Sequence, residues 1–405
     1  MKVVAIIAEF NPPHLGHKHL VDMIRADLGE DTAIVAIMSG SYVQRGDLAI
    51  CDPYLRAQMA LSLGVNLVLE LPFPYSMASA QQFAEAGVSI ARRLGCVDYL
   101  AFGSECGDLN ALARVALVAD SAVFAQKIDE YRTVPVLRTQ GYATLRERAI
   151  REILGEEAAA LVSQPNNILA IEYIGALRRQ KSTVEPLTYP RVGGYHEHAP
   201  NPSEFPSASY IRRLISEQKC EKIKYAVTED AFRTLCSALE EGDAPADISR
   251  VSSAILTGLY SRLSTLETAA ECDASLARRI RDKLPDAKSY DHLIEMCKAK
   301  HYTDAHVRRA ILFSYFGITP QDLVDAPAVT RLLACDTLGQ ALIKKVKSIG
   351  TLPYITKPAD FPARLTGEAL RQANRIFSAD LLLSQALPQA GSWSDMLKKS
   401  PYIKK

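Results

Sequence analysis

The chain has 405 residues, 48% of them apolar and 23% charged, with a formal net charge of +1. That length predicts more than one domain, and the near-zero charge excludes a global field that would gather nucleic acid or a membrane surface, leaving only local patches. Eight cysteines, no two closer than ten residues, exclude a zinc knuckle or a paired redox motif, and no apolar run reaches the ~20 residues that span a bilayer.

In chain order, Val3-Val4-Ala5-Ile6-Ile7-Ala8 reads as a strand, and no signal-peptide layout precedes it. With the scattered cysteines this predicts a cytoplasmic protein with reduced thiols and no membrane association. The link Glu9-Phe10-Asn11-Pro12-Pro13 follows, then His14-Leu15-Gly16-His17 at the mouth of a helix over 17–27. Further strands are expected at 32–38, 65–71 and 98–102, with helices over 54–63 and 79–94. Each strand is nearly continuously apolar, as in parallel sheets buried on both faces. The alternation predicts an α/β fold whose N-terminal part is a doubly wound parallel sheet. Ligands then bind beyond the carboxyl ends of the strands.

Residues 107–180 read as mostly helical, with Pro165-Asn166-Asn167 at a helix start. A short strand around Leu187 leads to Arg191-Val192-Gly193-Gly194, a glycine-flexed loop, and Ser207-Ala208-Ser209 caps another helix. From about 220 the pattern becomes amphipathic and helical (229–241, 246–264, 269–283, 289–299, 303–316). A small strand–helix–strand unit is expected at 329–334, 337–348 and 353–356, then a helix from about 363. These shifts predict a catalytic α/β domain over 1–217 and a mostly helical domain over 218–405.

His14 and His17 carry the sharpest chemical signal. Two imidazoles around a glycine, at a strand-to-helix turn, can both donate N–H groups to a phosphate bridge. Gly16 lets a phosphate or a base approach the backbone, and free amides at the helix start would face the anion. Lys18 reads equally as a phosphate ligand or a solvated helix lysine, and His19 as a helix-surface residue. Met38-Ser39-Gly40, Gln44-Arg45-Gly46 and Phe102-Gly103-Ser104-Glu105 sit at strand ends, where glycine-rich turns are common anyway. Arg45 and Arg56 read as salt-bridged surface residues. Asn166 and Asn167 suit either a helix cap or a ribose, Arg191 suits a phosphate, and Ser207 to Arg212 suits a triphosphate or a plain cap. The segment 278–309 holds nine Lys/Arg against five Asp/Glu, plus three histidines. It is either a solvated face or a phosphate-backbone track. Its candidate RNA contacts are Arg278, Arg279, Lys298, Lys300, Arg308 and Arg309, with His301-Tyr302 adding an aromatic that can stack on a base. No metal-ligand set is expected.

Taken together, these blocks resemble the nucleotidylyltransferase superfamily, which shares its ATP-handling motifs with class I aminoacyl-tRNA synthetases. Within it, the chain resembles the bacterial tRNA(Met) cytidine acetate ligase family. The resemblance rests on Glu9-Phe10-Asn11-Pro12, His14-Leu15-Gly16-His17, Met38-Ser39-Gly40 with Gln44-Arg45-Gly46, Phe102-Gly103-Ser104-Glu105, Pro165-Asn166-Asn167-Ile168-Leu169, Arg191 and Lys300 to Arg309. It implies an enzyme that condenses acetate with ATP to acetyl-adenylate and pyrophosphate. The acetyl group then passes to N4 of the wobble cytidine of elongator tRNA(Met), without acetyl-CoA. It also implies that His14 and His17 are catalytic. ATP would lie along Ile7, Ala8, Glu9, Phe10, Asn11, Pro12, Pro13, His14, Leu15, Gly16, His17, Lys18, His19 and Leu20, and at Gly103, Asn166 and Arg191. Mg²⁺ is expected on the phosphates, held largely by water and substrate oxygens. The chain departs from the commonest family form at Pro13 and Leu15, where Phe and Asn are frequent, and Leu15 removes a polar group beside the phosphates. The residues taken alone leave two other readings open. One is a nucleotidylyltransferase acting on a phosphorylated coenzyme precursor, and the other a catalytically silent tRNA-binding module.

Overall fold

Among the described residues ten strands organise the fold: β1 (Val3–Ala8), β2 (Ala33–Ser39), β3 (Tyr42–Val43), β4 (Asp47–Leu48), β5 (Leu67–Leu71), β6 (Tyr99–Ser104), β7 (Glu185–Pro190), β8 (Thr330–Cys335), β9 (Tyr354–Ile355) and β10 (Tyr402–Ile403). They are seen in a computed structural model that describes residues 1–138, 140–191, 205–299 and 302–404. Lys300, His301 and the glycine-flexed loop after Arg191 lie outside the described residues. The main sheet runs β10-β8-β5-β2-β1-β6-β7, with β9 beside β8, while β3 and β4 form a separate hairpin. Strands β5, β2, β1, β6 and β7 are mutually parallel. All four early strands and the one around Leu187 therefore appear where the apolar runs predicted them.

Alternation along each strand decides which helix covers which face. Val4, Ile6, Ile34, Ala36 and Met38 pack against Val21 and Ile24 of the Leu15–Leu28 helix and Ala57, Ala60 and Leu61 of the Pro53–Leu61 helix. Ala5 and Ile37 face the other way, in one core with Phe83 and Ala84 of the Ala80–Arg93 helix and Ala170 and Ile174 of the Pro165–Arg179 helix. Burying each larger side chain of this kind is worth ~1.5–3 kcal/mol, which explains why the strands need no polar face. The chain leaves β1 towards β2 on one side and reaches β6 on the other. That reversal opens a crevice beyond the carboxyl ends of β1 and β6, the expected place for a ligand in such a sheet.

The sheet crosses the expected division between 217 and 218. The strand–helix–strand unit near the end does form, but β8 joins β5 in antiparallel register and β10 adds to β8. Leu332 and Cys335 are buried with Leu67 and Leu69, under Leu342 and Val346 of the Thr337–Ile349 helix. The seam also contains a buried ion triad. Arg331, 1% exposed, bonds Glu70 of β5 and Asp380 of the Gly367–Gln385 helix. Asp380 also accepts from the Ser41 hydroxyl. Removing one charge of such a set would strand the others without water, so β8, β5 and that helix are tied together. Gly40 is required beside it, because a Cβ there would lie 2.1 Å from Glu70 Oε1. No helix among the described residues is long and apolar enough to cross a membrane, and all eight cysteines are free.

Candidate active site

The turn after β1 sets both histidines. His14 is the N-cap of the Leu15–Leu28 helix, with extended backbone, and its Nδ1 accepts from the Gly16 N–H at 3.1 Å. The His14 N–H in turn donates to His17 Nδ1 at 3.2 Å. Each Nδ1 is thus an acceptor, which puts each ring's proton on Nε2. The rings lie 3.8 Å apart, and Phe10 meets His17 edge-on at 4.8 Å. His14 is 4% exposed. Burial, then the nearby Arg191 and Arg212, lower its pKa to about 3. Burial, then His14 and Arg191, also hold His17 well below the usual imidazole value. Both are neutral donors at physiological pH.

The helix amides are not free, contrary to expectation. The Leu15 N–H donates to the Ala226 carbonyl at 2.9 Å, that of Gly16 to His14 Nδ1, and that of His17 to the His14 carbonyl at 2.9 Å. The capping box consumes the helix start, so the positive character of the site comes from Nε2–H groups and arginines. Gly16 is needed because a Cβ would lie 3.0 Å from His14 Cε1 and 3.3 Å from Phe205 Cβ.

Around this turn lies a cavity of ≈ 330 Å³ beyond the ends of β1 and β6, within the size range of small-molecule sites. On one side Glu105 accepts from the backbone N–H groups of Asn166 and Asn167 at 3.1 and 2.7 Å, capping the Pro165–Arg179 helix. Asn167 returns the bond by accepting from the Glu105 and Cys106 amides, so Asn167 is structural. Asn166 holds Arg191, whose guanidinium donates to its Oδ1 at 3.0 Å. Gly103 faces open space there, and a Cβ added to it would meet nothing nearer than 4.0 Å. On the other side Ser207 caps the Ala208–Ser216 helix, and Arg212 donates to the Asn11 carbonyl at 2.7 Å. Arg56 is not a surface residue. It is fully buried and donates to the carbonyls of Glu9, Ser39, Gly40 and Cys51, clamping the ends of β1 and β2.

Of the residues expected at ATP, the cavity is lined by Ile7, Ala8, Glu9, Phe10, Asn11, His14, Gly16, His17, His19, Leu20, Gly103, Asn166 and Arg191. Pro12, Pro13, Leu15 and Lys18 are not among its lining residues. Lys18 pairs with Asp22 at 2.7 Å, and Leu15 contributes its backbone to Ala226. The departures at Pro13 and Leu15 therefore lie off the cavity wall. His19 does reach it, 5.0 Å from the Phe205 ring.

Two arginines of the basic segment are engaged inward, while Arg278, Arg279 and Lys298 stay at the surface. Arg308 donates to both Asp47 oxygens at 2.9 and 3.1 Å. Arg309 is paired with Glu271 and donates to the Gln44 carbonyl at 3.3 Å. Lys298 pairs with Glu295 and Asp304, and Arg279 donates to the Lys298 carbonyl. Arg278 is exposed. The β3–β4 hairpin thus rests on the Asp304–Phe316 helix, and a Cβ at Gly46 (φ +74°) would lie 2.8 Å from Arg308 Cβ. Sequence reasoning missed a second basic feature. Tyr225 is 72% exposed with the Lys224 ammonium 5.0 Å from its ring centre, next to the Ala226 carbonyl that holds Leu15. Its only sequence signal was the short run Lys222-Ile223-Lys224-Tyr225.

Residues 1–392 match the family of HIGH nucleotidyl transferases. The tRNA(Met) cytidine acetate ligase of Caldanaerobacter subterraneus subsp. tengcongensis is 33% identical over 387 residues, covering 94% of this chain and 93% of that protein. The protein of the same name from Halothermothrix orenii is 32% identical over 403 residues, covering 95% and 94%. The crystal structure of Thermotoga maritima TmcAL bound with α-thio ATP aligns with a TM-score of 0.88 at 26% identity, covering 100% of this chain and 99% of that one. Its apo form aligns with a TM-score of 0.91 at 26% identity and the same coverage.

Proposed function

The chain belongs to the tRNA(Met) cytidine acetate ligase family of HIGH nucleotidyl transferases, and on that premise we propose that it activates acetate with ATP and acetylates N4 of the wobble cytidine of elongator tRNA(Met). An acetate oxygen attacks the α-phosphorus, the bond to the α–β bridging oxygen breaks, and pyrophosphate leaves with the electron pair. The cytidine N4 then attacks the acetyl carbonyl carbon, and AMP leaves. Acetate itself is the acyl source, so acetyl-CoA has no part.

One observation carries this reading: two neutral imidazoles, both committed through Nδ1 to the backbone and both on the wall of a cavity at the sheet's switch point, with Arg191 and Arg212 beside them. Fixed donors of this kind stabilise charge that develops on phosphoryl oxygens without reorganising during the step. Adenylation asks for positioning and charge neutralisation rather than a covalent nucleophile. Mg²⁺ would be carried by the phosphates and water; among the described residues no group of three His, Cys, Asp or Glu is set to hold a metal ion. When bound, it would neutralise the leaving pyrophosphate.

For the tRNA, Lys222, Lys224 and Tyr225 offer exposed cations and a stacking ring beside the histidine turn, the chemistry that single-stranded loops require. The cavity is lined by residues up to Arg212, and this RNA rim follows directly at Lys222 to Tyr225. Eight free thiols suit a reducing cytoplasm. The test is pyrophosphate release from ATP. Release should require acetate and fall by ~10²-fold or more in folded His14→Asn and His17→Asn proteins. Release at the same rate without acetate would count against the reading.

A further inference from the structure

Acyl transfer to cytidine N4 has a proton to dispose of. Acetate enters the first step already ionised, so no proton moves there, whereas N4 must lose one as it bonds to carbon. The two histidines of the turn are unsuited to take it. Each Nδ1 already accepts a backbone N–H, each Nε2 carries its proton, and a pKa of about 3 leaves His14 no basicity near neutrality. His19, two residues along the helix from His17, is turned to a different side of it and meets the Phe205 ring. Two carboxylates line the cavity, Glu9 and Asp47. Asp47 has both oxygens on Arg308, which leaves Glu9.

Glu9 follows β1 directly and is fixed in two places. Its backbone carbonyl accepts from Arg56 at 2.7 Å, and its Oε1 accepts from the Gln44 N–H at 2.9 Å. Oε2 makes no bond among the described residues, yet it is not one of the polar atoms shut into the core. Glu9 is half-buried and lines the cavity, so Oε2 keeps its surface on the cavity side. A carboxylate with one oxygen anchored presents the other in a fixed direction. Burial raises its carboxyl above the ordinary value, while the Gln44 N–H and then Arg212, Arg45 and Arg56 pull it down. The net rise brings it closer to a working base at neutral pH. Arg212 also acts on His14 and bonds the Asn11 carbonyl, so it links Glu9 to the histidine turn.

Resting on the function proposed above, we propose that Glu9 is the general base of the second step, its Oε2 taking the proton from cytidine N4 during acyl transfer. The bond from N4 to the acetyl carbonyl carbon forms, and the bond from that carbon to the adenylate oxygen breaks. AMP leaves with the electron pair. The N4 proton moves to Glu9 Oε2 and from there to water.

The test uses the full-length protein with ATP, labelled acetate and elongator tRNA(Met). Glu9→Gln keeps an oxygen for the Gln44 N–H and removes the basic one. Two rates are compared with the parent: acetate-dependent pyrophosphate release without tRNA, and single-turnover transfer of the label to tRNA. Transfer should fall at least about 10²-fold more than pyrophosphate release does, the range of general-base catalysis. If Glu9→Gln does not fold, Glu9→Asp carries the test. It sets the carboxylate back by one methylene, and transfer should fall at least about tenfold more than pyrophosphate release. Equal falls in both rates mean that Glu9 serves ATP or its cation, and overturn the assignment. Transfer at the parental rate means that His19 or the adenylate phosphate takes the proton, and overturns it too. Wild-type protein that needs no acetate for pyrophosphate release, or puts no label on the tRNA, refutes the proposed function instead, so the two failures are told apart.

Discussion

Substituting Gly16 by Ala should separate catalysis from stability. The new methyl group would lie 3.0 and 3.1 Å from His14 Cε1 and Nδ1, and 3.3 Å from Phe205 Cβ. All three nearest atoms belong to side chains, so the His14 ring yields rather than the helix. Moving it stretches the 3.1 Å bond from the Gly16 N–H, and losing a cap of this kind costs ~1 kcal/mol. Against that, Ala gains up to ~1 kcal/mol over Gly inside a helix. The two nearly cancel, so thermal unfolding should stay within a few degrees of the parent. Turnover should not: a misplacement of ~1 Å at a reacting centre costs ~10²-fold. The assay is acetate-dependent pyrophosphate release beside a melting curve on the same preparation. Wild-type turnover in a folded Gly16→Ala protein would refute the idea that the His14 ring position is what Gly16 protects.

Two further outcomes follow from the same geometry. His14 has its pKa lowered to about 3 in the fold, against ~6.5 when unfolded. As pH falls below 6.5 the unfolded chain takes up this proton first, so stability from this group is complete above that pH and is lost towards pH 3, at ~1.4 kcal/mol per pH unit. Because His17 is depressed too, the difference between denaturant titrations of wild-type and folded His14→Asn protein from pH 7 to 5 would read that slope, and a His14 imidazole titrating near 6.5 by NMR would contradict it. Reversing charge at Lys222 and Lys224 together should weaken tRNA binding and flatten its salt dependence by ~0.7 per lost phosphate contact, while acetate-dependent pyrophosphate release without tRNA is unchanged. Equal tRNA affinity and salt slope in the Lys222→Glu/Lys224→Glu protein would place the RNA surface elsewhere.

Much of the sheet could be read from the sequence because its central strands are apolar on both faces, a pattern that few other structures produce. The place of β8 could not, since Thr330 to Cys335 looks like any short buried strand. Its partner β5 lies about 260 residues earlier, and the link runs through Arg331, Glu70 and Asp380. The histidine turn was legible as a local motif, with residue types and spacing in one short stretch. The hairpin's seat on the Asp304–Phe316 helix was not. Arg308 and Arg309 carry no mark in sequence that distinguishes a hairpin clamp from a phosphate contact, and only the positions of Asp47, Glu271 and Gln44 decide it. Arg56 misled for a similar reason: Asp52 four residues earlier suggests a surface ion pair, whereas the guanidinium is spent on four backbone carbonyls that no sequence pattern marks.

The most direct measurement is mass spectrometry of nucleosides from elongator tRNA(Met) incubated with the protein, ATP and isotopically labelled acetate. The expected result is N4-acetylcytidine carrying the label at the wobble position, no product when ATP is omitted, and none when labelled acetyl-CoA replaces acetate. Unmodified cytidine after complete incubation, or label arriving only from acetyl-CoA, would contradict it.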